Sequence, residues 1–251
     1  MAKRIGRLLI TVLLLLCLGF RYHYVFNGYN EYAYAEETEE SGNFTTNTFS
    51  YNDIPAYKED AYVVVNQDIP FFTEEDMTTD SFTEYGNLDE LNRATSCKAV
   101  ICKEYPPEDE REDISDIKPT GWVQNRYEGI INTESSTIYE RCHILMWCLV
   151  GNESNTLQGI MTGTHYFNIE GMYSNENIVL QYVKYNDNHI IYRVTPHYTG
   201  NNLLADGVLI EAMSVEDKGA SLSICRWAYN VQPGIEIDYR TGENWIKDEG
   251  E

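Results

Sequence analysis

Short runs of β-branched and aromatic residues, separated by polar turns, dominate the chain from residue 61 onward. Such runs are typical of strands. The predicted strands cover 61–65, 95–102, 136–149, 189–198, 207–215 and 221–229. Apolar residues four positions apart predict one long helix over 174–185, and the polar stretch 216–220 is typical of a hairpin loop. The pattern predicts an α+β fold with an antiparallel sheet core.

The N-terminus has a different pattern. Three basic residues precede an apolar run over 8–20, and Ala33-Tyr34-Ala35 has the small-residue form of a signal-peptidase site. The run is shorter than the roughly 20 apolar residues that a membrane helix needs. We therefore predict a secretory signal peptide over 1–35 and a secreted protein. An uncleaved N-terminal membrane anchor remains the alternative.

Residues 36–60 are acidic and poor in aliphatic side chains, which predicts a disordered linker before a folded domain over 61–251. The whole chain carries 18 Lys and Arg against 40 Asp and Glu, a formal net charge of −22. Proteins that bind nucleic acid usually have a basic excess. The charge therefore argues against a polyanionic substrate unless a local basic site and a divalent cation act inside an acidic shell.

The chain has six cysteines, and Cys17 lies within the predicted signal peptide. Five remain, so at least one must stay free or pair between molecules. No pair has zinc-site spacing with accompanying histidines. Neither a structural zinc site nor a disulfide framework is predicted.

Arg141 and His143 are two positions apart on the predicted strand 136–149, so their side chains leave the same face. A histidine in an apolar strand is commonly a core residue, but an arginine on the same face must be paired or used. A nearby cation also favours neutral imidazole, which can accept a proton. His143 is therefore a candidate general base.

Asn168 and Glu176 follow within the next structural unit, at a turn and near the predicted helix start. Their oxygens suit Mg²⁺, which accepts few protein ligands and keeps several waters. Both also have ordinary structural interpretations, as a turn asparagine and as an acidic residue at a helix N-terminus. Arg193 lies on the next strand, where its spacing leaves open a structural role or contact with phosphate.

Several sequence blocks occur together in an order that resembles the DNA/RNA non-specific endonucleases, the ββα-metal or His-Me finger family, in their exported bacterial form. The blocks are LDEL at 88–91, IKPTGW at 117–122, RCH at 141–143, TGT at 162–164, YFNIEGM at 166–172, YRVTP at 192–196 and YNVQPG at 229–234. The resemblance implies a ββα-metal finger and cleavage of DNA and RNA without sequence preference.

By that resemblance, His143 is the general base and Arg141 the arginine placed near the phosphate. Asn168 is the direct ligand of a single Mg²⁺, with Mn²⁺ as the alternative ion, and Glu176 holds the metal's water shell. Arg111 aligns weakly with a further family arginine.

The chain also departs from the family pattern. Glu140 and Cys142 stand in the catalytic motif where aspartate and glycine are usual. Cys148 replaces a glutamine, Gly159 an asparagine and His165 an arginine. The last two losses predict weaker support of the site. Two rivals therefore stay open, namely a weakened nuclease fold that binds nucleic acid and a secreted interaction module without enzymatic activity.

Overall fold

The computed structural model describes residues 50–107 and 110–248, which contain ten strands and two α-helices. The strands are β1 (Tyr62–Val64), β2 (Phe82–Tyr85), β3 (Cys97–Ile101), β4 (Tyr139–His143), β5 (Ile160–Thr164), β6 (Ile190–His197), β7 (Gly207–Ser214), β8 (Ser223–Tyr229), β9 (Ile235–Ile237) and β10 (Asn244–Ile246). The helices are α1 (Trp147–Val150) and α2 (Ser174–Tyr185), and a π-helical segment, Phe167–Tyr173, leads directly into α2.

The main sheet has six strands in the order β1-β8-β7-β6-β3-β2, and every neighbouring pair is antiparallel. Two further antiparallel pairs, β4–β5 and β9–β10, lie outside this sheet. The chain therefore has the α+β architecture with an antiparallel core that the sequence predicts. The elements β4, β5 and α2 follow one another as the expected ββα unit.

One face of the main sheet packs against α2 and the β4–β5 pair. Val208, Ile210 and Ala212, predicted to share a face of β7, all belong to the apolar cluster on this side. Val179 and Val183 of α2 join the same cluster. Burial of one such side chain contributes about 1.5–3 kcal/mol, so this face holds the ββα unit against the sheet.

The opposite face is covered by the N-terminal part of the described chain. Tyr51 stacks on His197 with ring centroids 3.9 Å apart, and the Tyr229 hydroxyl donates a 2.6 Å hydrogen bond to the Pro55 carbonyl. Residues 50–60 therefore pack on the sheet rather than forming the end of a disordered linker. Their tyrosines supply the apolar surface that the acidic composition obscured. The predicted signal peptide 1–35 and linker residues 36–49 lie outside the described residues.

The predicted helix 174–185 agrees with α2, whereas the predicted strand 136–149 is wrong in its second half. The strand ends at His143, the chain bends, and Trp147–Val150 form α1. Ile144 and Leu145 are fully buried in that bend. A short buried apolar run has the same composition in either conformation, so periodicity could not distinguish them.

All five cysteines of the described part of the chain are free thiols, consistent with the predicted lack of a disulfide framework there. Within residues 50–107 and 110–248, no helix is long and apolar enough to cross a membrane.

Candidate active site

The ββα unit is held together by a close approach at Gly163 of β5. In the β4–β5 ladder Arg141 lies opposite Thr162 and His143 opposite Ile160. A β-carbon added at Gly163 would lie 2.4 Å from the Cys142 sulfur and 2.6 Å from the Phe167 ring. Only glycine therefore lets the start of the π-helical segment sit against the pair of strands, which places Asn168 beside β4.

His143, at the end of β4, is 9% exposed and has one firm hydrogen bond. Its Nε2 lies 2.9 Å from the Oδ1 of Asn155, and the Nδ2 of Asn155 donates to the Oδ1 of Asn152 at 3.0 Å. Because the amide nitrogen is committed to Asn152, Asn155 presents its oxygen to the imidazole. Neutral His143 therefore carries its hydrogen on Nε2, and Nδ1 keeps a lone pair that can accept a proton.

The cation next to His143 is Arg111. Its Nη2 lies 3.4 Å from Nδ1 of His143, and its guanidinium is 5.8 Å from the centre of the Trp147 ring. Burial lowers the pKa of His143, the charge of Arg111 lowers it further, and the hydrogen bond that His143 Nε2 donates to the Asn155 oxygen opposes both. The imidazole is therefore held in its neutral, basic form. Sequence analysis assigned this electrostatic effect to Arg141, and the structure assigns it to Arg111.

Arg141 instead ties the preceding loop to β4. Its Nε donates to the Ile117 carbonyl and its Nη2 to the Ser115 carbonyl, both at 2.5 Å, and its guanidinium lies 4.5 Å from the centre of the Trp122 ring. Among the described residues Nη1 has no hydrogen-bond partner. Arg141 therefore anchors the loop and keeps one donor group uncommitted.

Asn168, in the π-helical segment, is held by Glu140. Its Nδ2 donates a 2.6 Å hydrogen bond to Oε2 of Glu140, while Nδ1 of His165 lies 2.6 Å from Oε1 of the same carboxylate. This arrangement leaves the Oδ1 of Asn168 without a hydrogen-bond partner within the described chain. Because Glu140 fixes the amide nitrogen, the amide oxygen also has a fixed direction. Such an oxygen is a suitable ligand for a hard cation.

Glu176 lies in the first turn of α2 and is 6% exposed. The Tyr192 hydroxyl donates to its Oε1 at 3.4 Å, and burial raises the pKa of the carboxyl to about 8. Within the described residues, Oε2 has no hydrogen-bond partner. Desolvation is the main cause of the raised pKa of the buried Cys142 thiol, and the carboxyl groups of Glu140 and Glu176 raise it further.

These groups fit a divalent cation. A buried carboxyl with so few partners needs either a proton or a cation, and the donor atoms at Asn168 and Glu176 are all oxygens. In the part of the chain described, no cluster of three or more His, Cys, Asp or Glu side chains is arranged to hold a metal. Mg²⁺ accepts few protein ligands and keeps several waters, so an amide oxygen and a carboxylate suit it.

Arg193 is not brought to this site. Its Nε and Nη2 bond the two carboxylate oxygens of Glu211 at 2.7 and 2.8 Å, and its guanidinium lies 4.7 Å from the centre of the Phe72 ring. It projects from β6 to the face opposite Tyr192, the partner of Glu176. Of the two roles left open by the sequence, this placement supports the structural one and not contact with phosphate.

Comparison with known proteins decides the family. The family model described as DNA/RNA non-specific endonuclease matches residues 73–216, more than half of the chain. The chain belongs to this family. It is thus an endonuclease, and its substrate class is nucleic acid. No curated protein matches it.

Solved structures share the fold of this endonuclease at low identity. Metal-free NucA from Streptococcus agalactiae has a TM-score of 0.65 at 20% identity, covering 78% of this chain and 92% of NucA. The magnesium-bound NucA structure has a TM-score of 0.59 at 23% identity, covering 68% of this chain and 81% of NucA. The Sda1 nuclease with bound zinc has a TM-score of 0.54 at 23% identity, covering 67% of this chain and 81% of Sda1. A structure described as an extracellular nuclease has a TM-score of 0.50 at 19% identity, covering 73% of this chain and 100% of that nuclease.

The structure explains one departure of the endonuclease from its family pattern. A β-carbon at Gly159 would lie 2.3 Å from the Ser154 carbonyl oxygen, so the usual asparagine does not fit this loop. Asn155, at the end of the turn Gly151–Ser154, supplies an amide to His143 instead. Cys148 is exposed, and nothing in the structure explains its replacement of glutamine.

Sequence analysis missed the roles of Asn152, Asn155 and the contact between Glu140 and His165. Asn152 and Asn155 lie between α1 and β5. Their number in a loop just after the catalytic motif was the one available signal.

Proposed function

We propose that this endonuclease is exported and hydrolyses phosphodiester bonds of both DNA and RNA without sequence preference, using a divalent cation, Mg²⁺, with Mn²⁺ as the alternative. The single observation that carries the proposal is the presence, on one ββα unit, of a neutral imidazole whose Nδ1 carries a lone pair and an asparagine oxygen without a hydrogen-bond partner among the described residues. Export is supported by the signal-peptide pattern of residues 1–35, and an uncleaved anchor is the alternative.

His143 is the proposed general base. Its Nδ1 takes a proton from the attacking water, and the Asn155 oxygen at Nε2 stabilises the imidazolium that forms. The water oxygen then bonds to phosphorus as the bond to the leaving oxygen breaks. Burial and Arg111 keep the imidazole neutral between turnovers.

Asn168 is the proposed direct ligand of the cation, through Oδ1, and Glu176 is proposed to hold its water shell. When bound, the cation polarises the phosphate and stabilises charge on the leaving oxygen. Arg111 and the uncommitted Nη1 of Arg141 are the proposed donors to the phosphate oxygens. Arg193 is not included, because it is bonded to Glu211 on the other face of the sheet.

This local arrangement reconciles the acidic chain with an anionic substrate. Two arginines and a cation supply positive charge at the site, although the net charge is −22. Contacts to phosphate rather than to base edges carry no sequence information. Tolerance of both DNA and RNA follows from that mode of recognition.

The test is digestion of circular DNA and of RNA by the parent protein and His143→Ala, each with and without a chelator. Loss of a general base removes about 10²–10⁴-fold in rate, so the variant should leave the plasmid almost intact while its thermal unfolding is unchanged. His189→Ala, which alters a histidine outside the ββα unit, is the matched control and should cut like the parent.

Equal cutting by His143→Ala and the parent would contradict the proposed base. Cutting that persists with the chelator would contradict the cation. A gel shift on the same samples separates the rivals, because a weakened nuclease fold predicts DNA binding without cutting and an interaction module predicts neither.

A further inference from the structure

Glu140 and His165 both depart from the family pattern, and in the folded chain they touch each other. They lie 25 positions apart in sequence, yet Nδ1 of His165 is 2.6 Å from Oε1 of Glu140. The other oxygen of the same carboxylate accepts the 2.6 Å hydrogen bond from Asn168. The His165 backbone is also held, since its amide donates to the Ile138 carbonyl at 2.9 Å.

We propose that Glu140 and His165 are one coupled positioning pair, which orients the Asn168 amide so that its Oδ1 faces the divalent cation. The inference rests on the proposed function, because it assigns a role toward the same cation. Neither residue is a catalytic residue, since each acts through Asn168.

Side-chain length gives the physical reason for coupling. Glutamate is one methylene longer than the usual aspartate, while the Nδ1 of histidine is only two bonds from its β-carbon, much nearer than the guanidinium nitrogens of the usual arginine. Counted in bonds from the two β-carbons, glutamate Oε with histidine Nδ1 spans as far as aspartate Oδ with arginine Nε, so either pair can bridge the same gap. Aspartate with histidine leaves the gap open, and glutamate with arginine crowds it.

Partial burial makes the contact matter. The side chains of His165 and Glu140 are 26% and 31% exposed, so water does not fully replace a lost partner. If His165 releases Oε1, the carboxylate is free to rotate and no longer holds the Asn168 nitrogen. The amide can then turn, and its oxygen loses its fixed direction.

The test is a double-mutant cycle read out by Mn²⁺ binding, measured by electron paramagnetic resonance on the protein without substrate. The variants are Glu140→Asp, His165→Arg and the two together. Losing one support of a metal ligand costs about 10–100-fold in affinity, so each single variant should bind Mn²⁺ about 10-fold more weakly or worse. The double variant should return to within about 3-fold of the parent, because the two lengths again match.

The chain offers a matched control in His189 and Glu216. Their Nδ1 and Oε1 atoms are also 2.6 Å apart, and their exposures of 22% and 36% are similar. This pair joins the start of β6 to the loop after β7, away from Asn168. The same exchange, His189→Arg with Glu216→Asp, should leave Mn²⁺ affinity unchanged.

If the fold loss in Mn²⁺ affinity of the double variant equals the product of the two single-variant losses, the coupling is overturned. Single variants that bind Mn²⁺ like the parent would also overturn it. His165→Asn and His165→Leu give an independent comparison, since the Asn Nδ2 stands where the His Nδ1 does and leucine offers no donor. Asparagine should retain affinity and leucine should not; equal values for the two would also overturn the pair. A parent protein that binds no Mn²⁺ would overturn the pair as a support of the Mn²⁺ ligand, whereas cutting that persists with a chelator would defeat the proposed cation itself.

Discussion

The two halves of the proposed active site are built differently. The base half, around His143, takes its supports from irregular loops: Arg111 precedes β4, and Asn152 and Asn155 lie between α1 and β5. The metal half is carried by regular elements. Glu140 lies on β4, and Asn168 and Glu176 lie on the continuous π- and α-helical stretch that follows β5.

Because of this difference, the two halves depend on different supports for the proposed base and for the proposed metal ligands. On the base side, loop contacts select the tautomer of His143, and burial together with a loop arginine favours its neutral form. On the metal side, regular elements carry both carboxyl groups, and burial raises the pKa of the Glu176 carboxyl to about 8, so a bound cation would take the place of its proton. Changes in the base half should alter the rate at saturating metal, and changes in the metal half should alter metal affinity.

The largest separation is expected from Glu176→Gln. The amide keeps the shape of the side chain but removes the charge proposed to hold the metal's waters. Loss of such support costs about 10–100-fold in metal affinity. Titration of cutting rate with Mg²⁺ should show a higher half-saturating concentration, with most of the rate recovered at high Mg²⁺. A large rate loss that excess Mg²⁺ cannot recover would place Glu176 in the base half instead.

A smaller effect is expected from Asn155→Leu, which changes the base half of the site. Leucine removes the acceptor at Nε2, so His143 loses its preferred tautomer. We expect about 10-fold lower kcat, a part of the 10²–10⁴-fold that a general base contributes. The half-saturating Mg²⁺ should be unchanged. Asn125→Leu is not a suitable control because that residue bonds buried Asn244; Asn201→Leu, at an exposed position between β6 and β7, is preferable.

The smallest effect concerns pH and Arg111. Because burial and Arg111 lower the pKa of His143, the acid limb of kcat/KM should fall below about 6.5, the ordinary value for histidine. Arg111→Gln removes a charge that disfavours the imidazolium, so the limb should move to higher pH. Measurement of kcat/KM from pH 5 to 8 checks the direction. A limb that moves to lower pH would contradict the electrostatic role of Arg111.

Local pattern predicted much of the scaffold. The helix 174–185 and the shared face of Val208, Ile210 and Ala212 follow from spacing, because each depends on residues a few positions apart. The resemblance singled out His143, Asn168 and Glu176 as site residues. Local pattern failed where tertiary contacts decide, as at residues 50–60, where tyrosines of an acidic segment pack on the sheet.

Contacts at long sequence separation decided the rest. The partner of His143 could not be chosen between Arg111 and Arg141 by spacing, because Arg111 reaches it from 32 positions away while Arg141 bonds backbone carbonyls. The face of the sheet on which Arg193 lies could be assigned only from the pairing of its strand, which places it against Glu211.

Composition and residue order were therefore enough for the fold class, the helix and the resemblance to the family, since those depend on local periodicity and on short blocks of residues. The tautomer of His143, the free oxygen of Asn168 and the contact between Glu140 and His165 were decided only by the folded chain. Each depends on which atom faces which partner, and that is set by packing between segments far apart in sequence.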